Sequence, residues 1–194
     1  MSAVPSEEEI RTLVRRVVSE AMPLDAAPEP AEDVETNQPS PRRSIAVGAD
    51  HGGFAMKERI AFKLAEQGWD VSDCGTDSLQ SVDYPDFAHA VARLVSDGTC
   101  AVGIVIDGAG IGSAMVANKL PGVRAAACYD LSQAANSREH NHANVLTLGA
   151  GLVGESLAWQ IVETWLATPW AEGRHARRVA QITEVEREYR KGER

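Results

Sequence analysis

The sequence predicts an α/β fold: a doubly wound α/β/α sandwich around a five-stranded parallel sheet, preceded by an amphipathic helix on a Pro-rich linker. Three observations predict it. From residue 44 onward, apolar runs of strand length alternate with segments of helical period, as parallel βα units require. Residues 101–106 (AVGIVI) are apolar throughout, as a central strand covered on both faces must be. The first 43 residues have a different composition: no Gly, His, Cys or aromatic residue, but six of the nine Pro.

The elements follow in order. Ser6-Glu7-Glu8-Glu9 has the form of a capping box, with carboxylates at the positive end of a helix dipole. Ile10, Leu13, Val14, Val17, Val18 and Ala21 then form one apolar stripe, ended by Pro23. Residues 1–22 are therefore expected to be an amphipathic helix. A helix this short is marginal alone in water, so it is expected to fold as it docks. Its dock is its own core, a twin in an oligomer, or another partner; the acidic first turn argues against a membrane surface. Residues 23–43 hold five Pro and no Gly and read as an extended, semi-rigid linker. Residues 44–194 form the remaining domain. Strands are expected over 44–48, 70–74, 101–106, 123–128 and 145–148. Helices are expected over 56–67, 87–95, 111–119, 131–139, 155–167 and 175–190.

Composition excludes several functions. The net charge is −9, which does not suit a nucleic-acid backbone binder. The first 43 residues carry nine acids against five bases, which leaves −5 for the rest. No apolar run approaches the length of a membrane span. Three cysteines make no disulfide scaffold and fit a reducing, cytoplasmic compartment.

Ligands of doubly wound sheets bind beyond the carboxyl ends of the strands. After the first strand comes Gly48-Ala49-Asp50-His51-Gly52-Gly53, which offers Asp50 and His51 as polar site groups, or Asp50 as a plain helix cap. After the central strand comes Asp107-Gly108-Ala109-Gly110-Ile111-Gly112-Ser113. This Gly-rich turn aims backbone N–H groups at an anion or oxyanion. It is neither a dinucleotide fingerprint nor a Walker loop. Asp107 is either a base there or the cap of the next helix. His140-Asn141-His142 lacks a convincingly spaced third ligand, so no metal is expected. Arg174 and Arg178 share a helix face; paired guanidinium groups suit a phosphate, or this is a plain solvated or ion-paired face.

Together AVGADHGGF, DYPDFA, GIVIDGAGIGSAMVANK, GVRAA, SREHNHANVLTLGA and GRHARR resemble the ribose-5-phosphate isomerase B and galactose-6-phosphate isomerase family. The resemblance covers residues 44 to about 188 and leaves the first 43 outside. It implies a metal-free and cofactor-free aldose–ketose isomerase of sugar phosphates, acting through a cis-enediolate, with ribose 5-phosphate to ribulose 5-phosphate as the first expectation. It implies Asp50 and His51 at the first strand, Tyr84 in the sugar pocket, and an enediolate cradle at Gly108, Gly110 and Gly112. His140 matches the ring-opening histidine, Asn141 its polar neighbour, and Arg124, Arg174 and Arg178 the phosphate ligands. A homodimer or tetramer with shared active sites is implied. The family's base is a Cys at position 107 in one branch and a Glu at position 113 in another. This chain has Asp107 and Ser113, which makes Asp107 the natural substitute. Ala109 replaces a hydroxyl residue that assists ring opening, and His142 replaces a common Asp. The alternative is a catalytically silent sugar-phosphate binder or scaffold. The helix and linker resemble the encapsulation peptides of bacterial microcompartment cargo, which implies a shell protein as partner of residues 6–22.

Overall fold

The computed structural model describes Glu8, in helical conformation, and residues 43–190. The expected amphipathic helix and linker otherwise lie outside the described residues. The chain divides into two units, Met1–Pro39 and Ser40–Arg194, and the second holds every element named below.

Its elements are β1 (Ser44–Ala49), α1 (Phe54–Glu66), β2 (Asp70–Asp73), α2 (Tyr84–Ser96), β3 (Val102–Asp107), α3 (Ile111–Ala117), β4 (Ala125–Ala127), α4 (Leu131–Glu139), β5 (Val145–Gly149), α5 (Glu155–Ala167) and α6 (Arg174–Arg190). The five strands form one parallel sheet in the order β2-β1-β3-β5-β4. Every residue of β1, β3 and β5 is buried, which is why these strands read as continuous apolar runs.

Alternation along the strands feeds two cores. Ile45, Val47, Ile104, Ile106, Leu146 and Leu148 pack with Ile60 and Leu64 of α1 and Ile161 and Trp165 of α5. Ala46, Val105 and Val145 point the other way, onto Val91, Ala92 and Val95 of α2 and Ala117 of α3. Helices thus cover both faces, as a doubly wound sheet requires. None of the helices in the described residues is long and apolar enough to cross a membrane.

Most element ends differ from expectation by one to three residues, and two of these differences have local reasons. Helix α2 begins at Tyr84 rather than Phe87, because Pro85 occupies its first turn, where a missing N–H costs nothing. Strand β4 spans three residues rather than six. Side-chain amides replace its first ladder bonds: Arg124 N donates to Asn144 Oδ1 at 2.7 Å, and Ala125 N to Asn118 Oδ1 at 2.8 Å.

The chain leaves β1 for one edge and returns on the other side with β3. That reversal opens a crevice at the carboxyl ends of these two neighbours. Ala49 pairs with Ile106, so Asp50 and Asp107 emerge side by side at the crevice.

Candidate active site

The β1 and β3 turns meet at the switch point. Asp50 is 8% exposed, and its Oδ1 accepts from Gly53 N at 3.0 Å. It closes its own turn at the crevice; the cap of α1 is Gly53 and not Asp50, so the helix-cap alternative does not hold. A Cβ on Gly52 would lie 3.7 Å from Gly108 N, so the two turns are in contact. His51 Nδ1 accepts from Val82 N at 3.2 Å. A neutral His51 therefore carries its proton on Nε2.

Asp107 is 5% exposed and fully engaged. Its Oδ1 accepts from Ala109 N at 2.7 Å and from Gly110 N; its Oδ2 accepts from Ser113 N at 3.3 Å and from Ser113 Oγ. A carboxylate has about four lone-pair sites, and four donors fill them. Gly110 allows this curl with φ +77, against the β5 backbone at Leu148. The Gly110 N–H, expected in the enediolate cradle, points at Asp107. Tyr84 lies across the loop: a Cβ on Gly112 would meet its ring at 2.6 Å. Tyr129 Oη donates to Ala109 O at 3.0 Å, and Gly151 N to Gly108 O at 3.0 Å. None of the three cysteines replaces Asp107. Cys128 is buried, and burial pushes its thiol up to about 11.

The remaining expected residues gather at the opposite end of the sheet. Arg124 immediately precedes β4, and His140 to Asn144 lie between α4 and β5. Strand β5 alone puts about 13 Å between its ends, four steps of 3.3 Å. His140 Nδ1 lies 2.9 Å from Asn136 Nδ2, and its ring stacks on His175 with centroids 4.2 Å apart. Arg174 Nε donates to His175 Nε2 at 3.3 Å, which leaves the His175 proton on Nδ1. That N–H is buried without an acceptor. Arg178 shares the α6 face with Arg174 and helps to hold the His175 pKa below its ordinary value, after burial and His140. Arg124 Nε donates to His142 O at 2.8 Å. Asn141 and Arg124 line one cavity of about 780 Å³ beside β4, together with Asn136, Ile182 and Tyr189.

The structure thus gathers the expected residues into two groups: Asp50, His51, Tyr84 and the Asp107–Gly112 loop at one end, and His140, Asn141, Arg124, Arg174 and Arg178 at the other. Sequence reasoning missed His175, although it stands inside GRHARR between the two arginines. It also missed Ser113 as the donor to Asp107, and Val82, whose role is carried by a backbone N–H that no residue type announces. Among the described residues no group of His, Cys, Asp and Glu side chains is arranged to hold a metal ion.

Fold and site define a class: a doubly wound α/β protein with a carboxylate and a Gly-rich turn at its switch point, and an arginine–histidine group on its last helix. The chain belongs to the ribose/galactose isomerase family, whose sequence profile matches residues 45–182, which makes it an aldose–ketose isomerase in class. Ribose-5-phosphate isomerase B of Escherichia coli is 44% identical over 144 residues, 74% of this chain and 97% of that protein. D-erythrulose-4-phosphate isomerase of Pectobacterium atrosepticum is 39% identical over 140 residues, 72% of this chain and 92% of that protein. The solved structure of Clostridium thermocellum ribose-5-phosphate isomerase B superposes with a TM-score of 0.74 at 50% identity, covering 75% of this chain and 99% of that one.

Two outcomes follow from this geometry. In Asp107→Asn the amide nitrogen must face backbone N–H donors, leaving one of them without an acceptor. The substitution is expected to cost about 1–3 kcal/mol of stability, read as a lower urea midpoint; an unchanged midpoint would show that the clamp is not formed. The second concerns acid. Burial first, then Arg124 and Arg138, hold His142 below the ordinary 6.5, and His175 is lowered as well. Unfolded, both rings take up protons near pH 6.5 that the folded rings refuse, so stability is whole above that pH and declines below it. His142→Phe is expected to narrow the gap between melting temperatures at pH 7.5 and 5.5, and an equal gap would contradict this assignment.

Proposed function

We propose that this chain interconverts ribose 5-phosphate and ribulose 5-phosphate. The observation that carries the reading is the His175 N–H, buried without an acceptor beside Arg174, Arg178 and His140. A phosphate oxygen satisfies that donor and both guanidinium groups. The E. coli relative's name supports the pentose phosphate.

In this reading His140 opens the ring, passing a proton to the ring oxygen as the C1 hydroxyl loses its own. Asp107 removes the proton from C2, and the released electron pair forms the C1–C2 double bond of a cis-enediolate. The Gly108–Gly112 turn and Tyr84 hold the enediolate oxygens. Asp107 returns the proton to C1 while the C2 hydroxyl proton passes to the oxygen on C1, which gives the ketose. Asp50 and His51, with its proton on Nε2, line the sugar side. To accept a proton, Asp107 must release one of its four donors. The Ser113 hydroxyl is the only one not fixed by the backbone, so its rotation frees Oδ2.

The two half-sites lie at opposite ends of one sheet. A homodimer that sets the arginine end of one copy against the Asp107 end of its twin completes each site, and a two-fold axis then makes two identical sites. Two such dimers would give a tetramer.

The Pectobacterium relative's name supports a second substrate, a tetrose phosphate. Ala109 favours it, since it brings no hydroxyl to ring opening. Deuterium exchange at C2, followed by NMR in deuterated water, ranks ribose, tetrose and hexose phosphates directly. Exchange is expected with ribose 5-phosphate and its loss in Asp107→Asn. Binding without exchange on every sugar phosphate would make the protein a silent binder. Mixing Asp107→Asn with Arg178→Ala protein is expected to recover about a quarter of wild-type turnover, because half the dimers are mixed and each holds one intact site. No recovery would place both half-sites' work within one chain.

Residues 6–22 are read as an encapsulation tag for a microcompartment shell within the cytoplasm, supported by the capping box, the apolar stripe and the Pro-rich linker. Removal of residues 1–42 is expected to leave turnover intact and abolish co-sedimentation with shell protein. Unfolding on truncation would show instead that the segment docks on the core.

A further inference from the structure

The turn between α4 and β5 is held by two flat ring stacks. His140 lies on His175 and His142 on Trp170, each pair with centroids 4.2 Å apart and planes within 2°. The first stack joins residues already placed in the site. The second does not, and the chemistry above makes no use of it.

Its members are nevertheless tightly held. His142 takes a φ of 51°, a left-handed conformation disfavoured for any residue with a Cβ. Its backbone is anchored on both sides: the carbonyl accepts from Arg124 Nε at 2.8 Å, and the N–H donates to Arg138 O at 3.1 Å. Arg124 and Arg138 are the charged groups that face its ring, and with burial they favour the neutral imidazole. Trp170 Nε1 is buried without an acceptor, so the contact that its side chain makes with His142 is through its ring face. Trp170 sits in the connection between α5 and α6, a stretch with no helix or strand of its own. Ala171 N donates to Glu139 O at 3.0 Å. One backbone bond and the two stacks therefore tie the start of α6 to the end of α4.

We propose that Trp170 and His142 are positioning residues for substrate phosphate: their stack fixes the start of α6, and with it the Arg174, His175 and Arg178 group. The inference rests on the phosphate reading of those three residues. Neither ring touches the reacting carbons. What the stack supplies is orientation, since an α6 start free to swing would still carry its three donors but not converge them on one anion.

The test uses the full chain and inorganic phosphate, with affinity read by calorimetry, alongside kcat and KM on ribose 5-phosphate. Trp170→Ala is expected to weaken phosphate binding and raise KM roughly tenfold, the worth of a lost aromatic pair, with kcat nearly unchanged. Trp170→Phe keeps a flat face and should restore both. His142→Gly removes the other ring while relieving its backbone, and should reproduce the Trp170→Ala loss without the same risk to folding. Unchanged phosphate affinity in both Trp170→Ala and His142→Gly overturns the proposal, as does a fall in kcat with KM unchanged. Phosphate binding needs no turnover, so Trp170-dependent binding without isomerisation would sink the Asp107 chemistry and leave this inference standing. If the wild-type protein binds no phosphate, the phosphate reading and the positioning role fall together.

Discussion

The carboxylate of Asp107 organises the crevice. It stands at the end of a buried strand, 5% exposed, and gathers Ala109 N, Gly110 N, Ser113 N and Ser113 Oγ around its two oxygens. A buried carboxylate demands such compensation, because desolvation without partners is prohibitive. The curl it imposes brings Gly110 against β5, leaves room over Gly112 for Tyr84, and lays Gly108 against the β1 turn. The same four bonds define its chemical problem. Under the proposed chemistry a base must have a lone pair to offer, and only the rotation of the Ser113 hydroxyl releases one. This chain couples a carboxylate at 107 to a hydroxyl at 113.

The second organising fact is polarity along the sheet. Strands β1, β3 and β5 deliver Asp50, Asp107 and Gly149 to one end, whereas the segments that enter β4 and β5 carry Arg124 and His140 to Asn144 at the other. Helix α4 runs back along the sheet and presents His140 at its C-terminal end, and α6 starts beside it. No side-chain flexibility closes a gap of strand length. A shared site between two copies is thus a consequence of βα topology under the proposed chemistry. Under the same proposal, Arg124, Arg174 and Arg178 stand at one end of the fold and Asp50 and Asp107 at the other.

Much of this was legible in the sequence. The α4 and α5 ranges agree with expectation to the residue, since each begins directly after a capping or turn residue: Asp130, whose side chain accepts from Gln133 N, before α4, and Gly154 before α5. The central strand was legible because burial on both faces removes every polar residue. The ends of β4 were not, because Asn118 and Asn144 side chains replace ladder bonds, and nothing local marks an amide that acts across 7 or 20 residues. His51 could be named as a site group, but its tautomer is set by a backbone N–H 31 residues away. Asp107 was legible as base or cap; the structure gives the cap position of α3 to Gly110 and binds the Asp107 carboxylate to its loop and to Ser113, and its use as a base belongs to the proposed chemistry.

The sequence by itself determined the class of fold, the family, and which residue types stand in each turn, because these depend on period, composition and collinear motifs. Only the tertiary structure decided which of those residues meet. It joined His175 to His140, Trp170 to His142 and Ser113 to Asp107, and it set the arginine group apart from the Asp107 loop. The reason is that hydrogen bonds and ring stacks act over a few ångströms in space, whereas a motif reports only order along the chain.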